Sequence, residues 1–280
     1  MNRSVETITV TGGHTDEEYL ASCPNDKPIP TIIPPVQRII AMGDIHGDFE
    51  VALRMFRTAH LIDEQFRWIA QPPDTVVVQV GDQIDSCRPI PGRFSCDVPA
   101  TRKEDNQADD LRVMRFFDEM HEKAQRAGGA VYSLLGNHEL LNAKGVMTYV
   151  SYADGHQFRY QEDGVEYHGL EGRKKAFAPG GPIARSMGCN RTSVLVIGST
   201  LFAHAGILPA ISKYFDNSRM VDPDDRLRYI NILVSKWLLG IVLPANEERI
   251  LRLIRDGQDS PFWNRILGDI PYGEKINSPV

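Results

Sequence analysis

No apolar run in this 280-residue chain approaches the ~20 residues that a bilayer-spanning helix needs, so no transmembrane helix is expected. The first twenty residues, MNRSVETITVTGGHTDEEYL, also lack the apolar core of a signal peptide. Basic charge is scarce: 31 Lys and Arg face 37 Asp and Glu, a net charge of −6. With a pI near 5.8 there is no positive field of the kind that grips nucleic acid. The acidic excess is not by itself a functional signal, because carboxylates can equally be solvated or serve as cation ligands. Cysteine is also sparse. Cys23, Cys87, Cys96 and Cys189 have no zinc-site spacing, and four in a chain of this length do not read as a disulfide scaffold. The expectation is therefore a reduced, cytoplasmic protein without a membrane partner. A Cys87–Cys96 bridge fits a short loop but is disfavoured on that compartment argument. No internal repeat or low-complexity tract is present.

The chain does have a rhythm of short apolar runs. With 42% hydrophobic residues it can build one large domain or two small ones. Residues 1–35 read as a polar arm, with prolines through Pro34-Pro35 blocking regular structure, and 36–280 as one domain. The segments RIIAM (38–42), TVVVQV (75–80), AVYSLL (130–135), SVLVI (193–197) and TLFAH (200–204) have the length and branching of buried strands. Between Asp109 and Arg126, Leu111, Met114, Phe117 and Met120 recur at helical spacing, and Gly128-Gly129 stops the run. A second helix is expected over DRLRYINILVSKWLLG, with Leu227, Ile230, Leu233 and Trp237 on one face. Alternating strands and helices predict an α/β fold. Residues 86–106 and 151–181 carry no period and read as long loops.

Each strand ends in a polar cluster: Gly43-Asp44-Ile45-His46-Gly47-Asp48, Gly81-Asp82-Gln83-Ile84-Asp85, Gly136-Asn137-His138-Glu139 and His204-Ala205-Gly206. Any one of these alone reads as a turn glycine with a helix-capping side chain, the role expected of Asp48. Four together place Asp, His and Asn repeatedly at carboxyl ends of strands, where α/β sheets bind ligands. Asp44 and His46, two apart in extended backbone, make an oxygen–nitrogen pair suited to a divalent cation. Asp82 can bridge two ions, Asn137 offers a neutral oxygen, and His204 a further imidazole. His14, His60, His121, His156 and His168 match no cluster and read as surface or structural residues.

The ordered set G-D-I-H-G, G-D-x-x-D, G-N-H-E and H-A-G, from Arg38 to about Pro209, resembles the metallophosphoesterase superfamily and its phosphoprotein phosphatase branch. LLGNHELLNAKGVMTYVS, GPIARSMGCNRTSVLVIGSTLFAHAGILP and DSPFWNRIL resemble the Shewanella-like protein phosphatase group within it. The resemblance implies a calcineurin-like β-sandwich flanked by helices, with two divalent ions at the strand ends, manganese first and iron or zinc as alternatives. Asp44 and His46 would hold one ion, Asp82 would bridge, and Asn137 and His204 would hold the second. A hydroxide between two cations is nucleophilic near neutral pH, and His138, oriented by Asp85, would protonate the departing alcohol. The implied substrate is a phosphoserine, phosphothreonine or phosphotyrosine protein. Rival readings are a nucleotide or diadenosine-polyphosphate hydrolase and a weakly active phosphopeptide-binding module.

Two departures from the family pattern stand out. Where G-D-x-x-D-R-G supplies a phosphate-gripping arginine, this chain has Ser86 and Cys87, with Arg88 two positions late. Arg88 either reaches in by another turn of the loop or is solvated. Arg265 in P-F-W-N-R matches a second phosphate-binding arginine, and Arg185 in G-P-I-A-R is a further candidate. The family also continues to a glycine-histidine pair that completes the second metal site, whereas no histidine follows His204 here. Either the sequence is shortened relative to a longer product, or the site does without that ligand, with weaker metal binding and lower activity as the expected result.

Overall fold

The computed structural model describes residues 21–23, 29–100, 107–215 and 222–265. Its frame is a four-stranded parallel sheet formed by β2 (Ile39–Met42), β3 (Val76–Gln79), β4 (Ala130–Leu134) and β7 (Arg191–Thr192), in that order. Beside it lies a three-stranded sheet. Here β8 (Val194–Ile197) pairs in parallel with β1 (Ile32–Ile33) and antiparallel with β9 (Thr200–Ala203).

Period-two alternation along the central strands holds the layers together. Val76 and Val78 of β3 and Ala130 and Leu134 of β4 face Leu195 and Ile197 of the second sheet, forming the sandwich core. Val77 and Val131 point the other way, onto Leu53, Phe56, Phe117 and Met120. Those side chains come from α1 (Phe49–Thr58) and α2 (Asp110–Ala127). The expected helix over 109–126 is thus present and ends at Gly128 in left-handed backbone (φ 95°). Its Met114 joins a third core. That core is built by α5 (Gly169–Phe177), α6 (Pro182–Asn190), α7 (Pro223–Leu238) and α8 (Ala245–Asp256), from residues such as Phe177, Met187, Leu233 and Ile254.

Three expectations are corrected. First, most of the N-terminal arm lies outside the described residues, but its Ile32–Ile33 is a strand of the sandwich rather than a separate tail. Two residues suffice because they extend an existing sheet edge. Second, residues 151–181 are not one loop. They contain α4 (Tyr152–Gln157), capped by Ser151, a hairpin of β5 (Arg159–Glu162) and β6 (Val165–His168), and then α5. These elements are too short to show a period. Gly172 is also required there, since a Cβ would lie 2.7 Å from the Tyr167 carbonyl carbon. Third, the cysteines are paired as Cys23–Cys189 and Cys87–Cys96, with none free among the described residues. The pairing of Cys23 with Cys189 across 166 positions has no local sequence signal. No described helix is long and apolar enough to cross a membrane.

Candidate metal centre and active site

The ends of β2 and β3 are bonded to each other through their backbones before any side chain is considered, and His204, just past β9, joins them through its Nδ1 on the Val80 carbonyl. The Asp82 carbonyl accepts the N–H groups of both Ile45 (2.9 Å) and His46 (3.0 Å), and the Gln83 carbonyl accepts that of Gly47 (2.8 Å). Glycine is needed where the β3 and β4 ends touch. A Cβ on Gly81 would lie 2.5 Å from the Gly136 nitrogen, and one on Gly136 would lie 2.2 Å from Asp82 Oδ1. Three non-glycine residues of the site take left-handed backbone: His46 (φ 50°), Asp82 (φ 56°) and Asp85 (φ 71°). Such conformations cost of order 1 kcal/mol each and persist where surrounding contacts impose them.

The hub of the arrangement is Asp82. Its Oδ1 accepts the His138 N–H at 2.9 Å. Its Oδ2 faces the Nε2 atoms of His204 (3.4 Å), His46 (3.9 Å) and His138 (3.9 Å). Asp44 Oδ2 lies 3.5 Å from His46 Nε2, and Asn137 Oδ1 lies 2.8 Å from His204 Nε2. The donor atoms form two groups, Asp44 with Asp82 and His204, and His46 with Asp82 and His138. These groups cut across the expected ones: Asp44 falls with His204 rather than with His46, His138, expected only as a proton donor, falls with His46, and Asn137 touches His204.

The chemistry of this set fits a cation. His46 Nδ1 sits 3.1 Å from the Ile84 carbonyl and His204 Nδ1 sits 2.9 Å from the Val80 carbonyl. A carbonyl accepts only, so each Nδ1 carries the proton and each Nε2 turns a lone pair inward. At His204 this leaves the Nε2 lone pair facing the oxygens of Asn137 and Asp82. Acceptors gathered this closely are satisfied by a positive ion between them. Burial and the Glu139 charge push the Asp82 carboxyl up, partly offset by His138.

His138 is held differently. Its Nδ1 bonds Asp85 Oδ2 at 2.9 Å, and Asp85 is fully buried. Burial works against the charged imidazolium, but the hydrogen bond to Asp85 and the charges of Asp82, Asp85 and Glu139 outweigh it and raise the His138 pKa. The ring also meets His46 and Tyr149 edge-on, with centroids 4.8 and 4.9 Å away.

The three arginines have separate surroundings. Arg88 turns back on its own loop, donating from Nη1 to the carbonyls of Asp85 (2.8 Å) and Cys87 (2.9 Å). Arg185 is exposed beside Glu162 of the hairpin, at 3.5 Å. Arg265 lines a cavity of about 430 Å³ together with His204 and Asn264.

Several buried residues behind the site are not identifiable from the sequence motifs. The Glu139 carboxylate accepts the N–H groups of Gly136 (2.8 Å), Asp82 (2.9 Å) and Gln83 (2.8 Å), tying the ends of β3 and β4 together. It stands in G-N-H-E, so its position was legible and its role was not. Asn142, one helical turn after His138 on α3 (Asn137–Ala143), donates to both oxygens of Asp85 (3.0 and 2.9 Å). Arg173, Asp110 and Asp154 complete this layer and belong to no motif.

The pattern common to calcineurin-like phosphoesterases matches residues 37–262, and the chain belongs to that family. Over 237 residues it is 27% identical to Shewanella-like protein phosphatase 2 of Arabidopsis thaliana, covering 73% of this chain and 52% of that one. It is 49% identical over 167 residues to the uncharacterized protein R398 of Acanthamoeba polyphaga mimivirus, covering 59% and 66%. Shewanella-like protein phosphatase 1 of Plasmodium berghei (strain Anka) is 27% identical over 85% of this chain and 54% of its own length. The chain thus spans between about half and two thirds of these relatives. A solved cold-active protein tyrosine phosphatase shares the fold, with a TM-score of 0.61 at 17% identity over 87% of this chain and 60% of that one. Another, from a psychrophilic Shewanella species, gives 0.57 at 17% identity over 89% and 62%.

Proposed function

We propose that the protein is a metal-dependent phosphomonoesterase that dephosphorylates phosphoproteins. The observation that carries this reading is the arrangement of Asp44, His46, Asn137 and His204 around Asp82, with His138 held alongside by buried Asp85. Asp44, His46 and Asp82 would hold one divalent ion, and Asp82, Asn137 and His204 a second. Manganese is our first choice and iron or zinc the alternatives. Such ions, when bound, polarise phosphate oxygens and acidify a water.

The side chains of this chain do the rest. His138 gives its Nε2 proton to the serine, threonine or tyrosine oxygen as the P–O bond breaks, while water attacks phosphorus from the opposite side. Asp85 holds Nδ1–H and stabilises the charged ring before that transfer. Asn137 donates to a phosphate oxygen, and Arg265, beside His204, is the best-placed cation for the phosphate. Arg88 and Arg185 are weaker assignments, since each is engaged with its own loop or hairpin. Tyrosine joins serine and threonine as a target because relatives in fold are named tyrosine phosphatases.

The test compares an aryl phosphate, phosphopeptides and dinucleoside polyphosphates, with and without manganese. His138→Ala should lower turnover by about 10²-fold or more with metal content unchanged. Loss of metal in that variant would show that the roles are wrongly divided. A dinucleoside polyphosphate as the preferred substrate would favour the nucleotide-hydrolase reading, and metal binding without turnover the binding-module reading. The cytoplasmic location, argued from the N-terminal sequence and the few cysteines, stays part of this reading, and the two bonded pairs weigh against it because such pairs persist in oxidising surroundings.

A further inference from the structure

Behind Asp85 lies a charged layer that the chemistry so far described does not use. Arg173, on α5, is fully buried with 0% exposure, although a guanidinium is rarely taken wholly out of water. Its Nη2 donates to Asp110 Oδ2 at 2.7 Å and to Asp85 Oδ1 at 3.3 Å, and its Nε donates to Asn142 Oδ1 at 2.9 Å. Its Nη1 approaches Asp154 Oδ2 at 3.6 Å without completing a hydrogen bond. Burial and the Asp110 charge push the Asp154 carboxyl well up, with Arg173 opposing them.

The partners of Arg173 are the same groups that fix Asp85. The amide of Asn142, oriented by Arg173 Nε, spans both Asp85 oxygens. Asp110, bonded to Arg173 through Oδ2, uses Oδ1 to accept the Asp85 N–H at 3.1 Å. The carboxylate and the left-handed backbone of Asp85 (φ 71°) are therefore both referred to one guanidinium. Asp85 in turn sets the ring of His138 through the 2.9 Å contact at Nδ1. A planar fork with fixed donor directions can do this, and a lysine point charge cannot.

We propose that Arg173 is a positioning residue for leaving-group protonation. Acting through Asn142, Asp110 and Asp85, it aims His138 at the departing oxygen and takes no part in gripping phosphate. The inference rests on the phosphomonoesterase reading above. It also separates two groups of residues: Asp82 and its neighbours serve the phosphate, while Arg173 and its carboxylates serve the proton.

The leaving group distinguishes this role from a purely structural one. A phosphoserine peptide releases an alkoxide that must be protonated, whereas p-nitrophenyl phosphate releases a stable phenolate that needs little help. Arg173→Lys and the charge-balanced pair Arg173→Gln with Asp154→Asn are the variants, assayed as full chains with manganese. For each, the ratio of kcat on the phosphoserine peptide to kcat on p-nitrophenyl phosphate should fall on the order of tenfold to a hundredfold. KM and metal content should stay near wild type. His138→Ala should shift the ratio in the same direction. Equal losses on both esters, or no loss on either, would overturn the proposal. So would variants that all fail to fold by circular dichroism while Asn142→Ala, which removes the same link, folds with an unchanged ratio. If metal-loaded wild-type protein hydrolyses neither ester, the phosphomonoesterase reading itself fails, a result distinct from an active enzyme whose variants keep the wild-type ratio.

Discussion

Removing the Glu139 carboxylate should cost more than removing its charge. Glu139 is fully buried and accepts three backbone N–H groups through two oxygens: Oε2 takes those of Gly136 and Asp82, and Oε1 takes that of Gln83. In Glu139→Gln the amide oxygen can keep the Oε2 pair, but its NH₂ then faces the Gln83 N–H. One buried donor loses its acceptor, at about 1–3 kcal/mol. In Glu139→Ala three donors lose theirs at once, about 3–9 kcal/mol in all, a large share of the ~5–15 kcal/mol that holds a domain folded. The order of stabilities is therefore wild type, then Gln, then Ala, and urea denaturation of the three proteins measures it. The ends of β3 and β4 should also part in Glu139→Ala, so that its affinity for manganese falls along with its stability. Equal midpoints for the Gln and Ala variants would show that these N–H groups find other partners, and would refute the claim that Glu139 sets the spacing of the strand ends.

Gly136→Ala places a methyl 2.2 Å from Asp82 Oδ1, so that carboxylate must move. Manganese binding by calorimetry should weaken at least tenfold, and wild-type affinity would contradict the packing. The bonded cysteines predict no thiol titratable in the native protein without reductant. Replacing Cys23–Cys189 by serines, which opens the longer loop, should lower stability more than replacing Cys87–Cys96, by roughly 4–5 against 2–3 kcal/mol. Four reactive thiols would return the chain to the reduced state read from its sequence. At Asp256, burial alone would raise the pKa, but hydrogen bonds from Arg255 and Lys144 outweigh it and the carboxyl is lowered. Its stabilising effect is thus present above the ordinary carboxylate range of about 4 and fades as pH falls through the lowered value. Asp256→Asn should cost under about 1 kcal/mol at pH 7 for this partly exposed pair, with the difference from wild type vanishing in acid. A difference that grew in acid would have the wrong sign.

Much of the frame could be read directly from the chain. The strands at 39–42, 76–79, 130–134, 194–197 and 200–203 lie inside the apolar runs that announced them, most plainly at β3, where burial on both faces of a parallel sheet leaves a continuous run of valines. The helix over 110–127 followed from its apolar spacing and its glycine stop. The 151–181 region failed because helices of six and nine residues and four-residue strands cannot accumulate a period. The Ile32–Ile33 strand failed because only the neighbouring β8 makes it one.

The site divides along the same line. The amino-acid sequence by itself determined the residue types at the strand ends, because Asp, His and Asn supply the oxygen and nitrogen donors that suit a cation, and the close approach of the β3 and β4 ends leaves no room for a Cβ at Gly81 or Gly136. Those choices are local and survive as motifs. Only the tertiary structure decided which groups support them. Arg173 lies 88 positions from Asp85 and 63 from Asp110, and Cys23 lies 166 from Cys189. A buried guanidinium balanced by three carboxylates, or two sulfurs brought together by packing, depends on where distant segments meet, and no spacing along the chain encodes that.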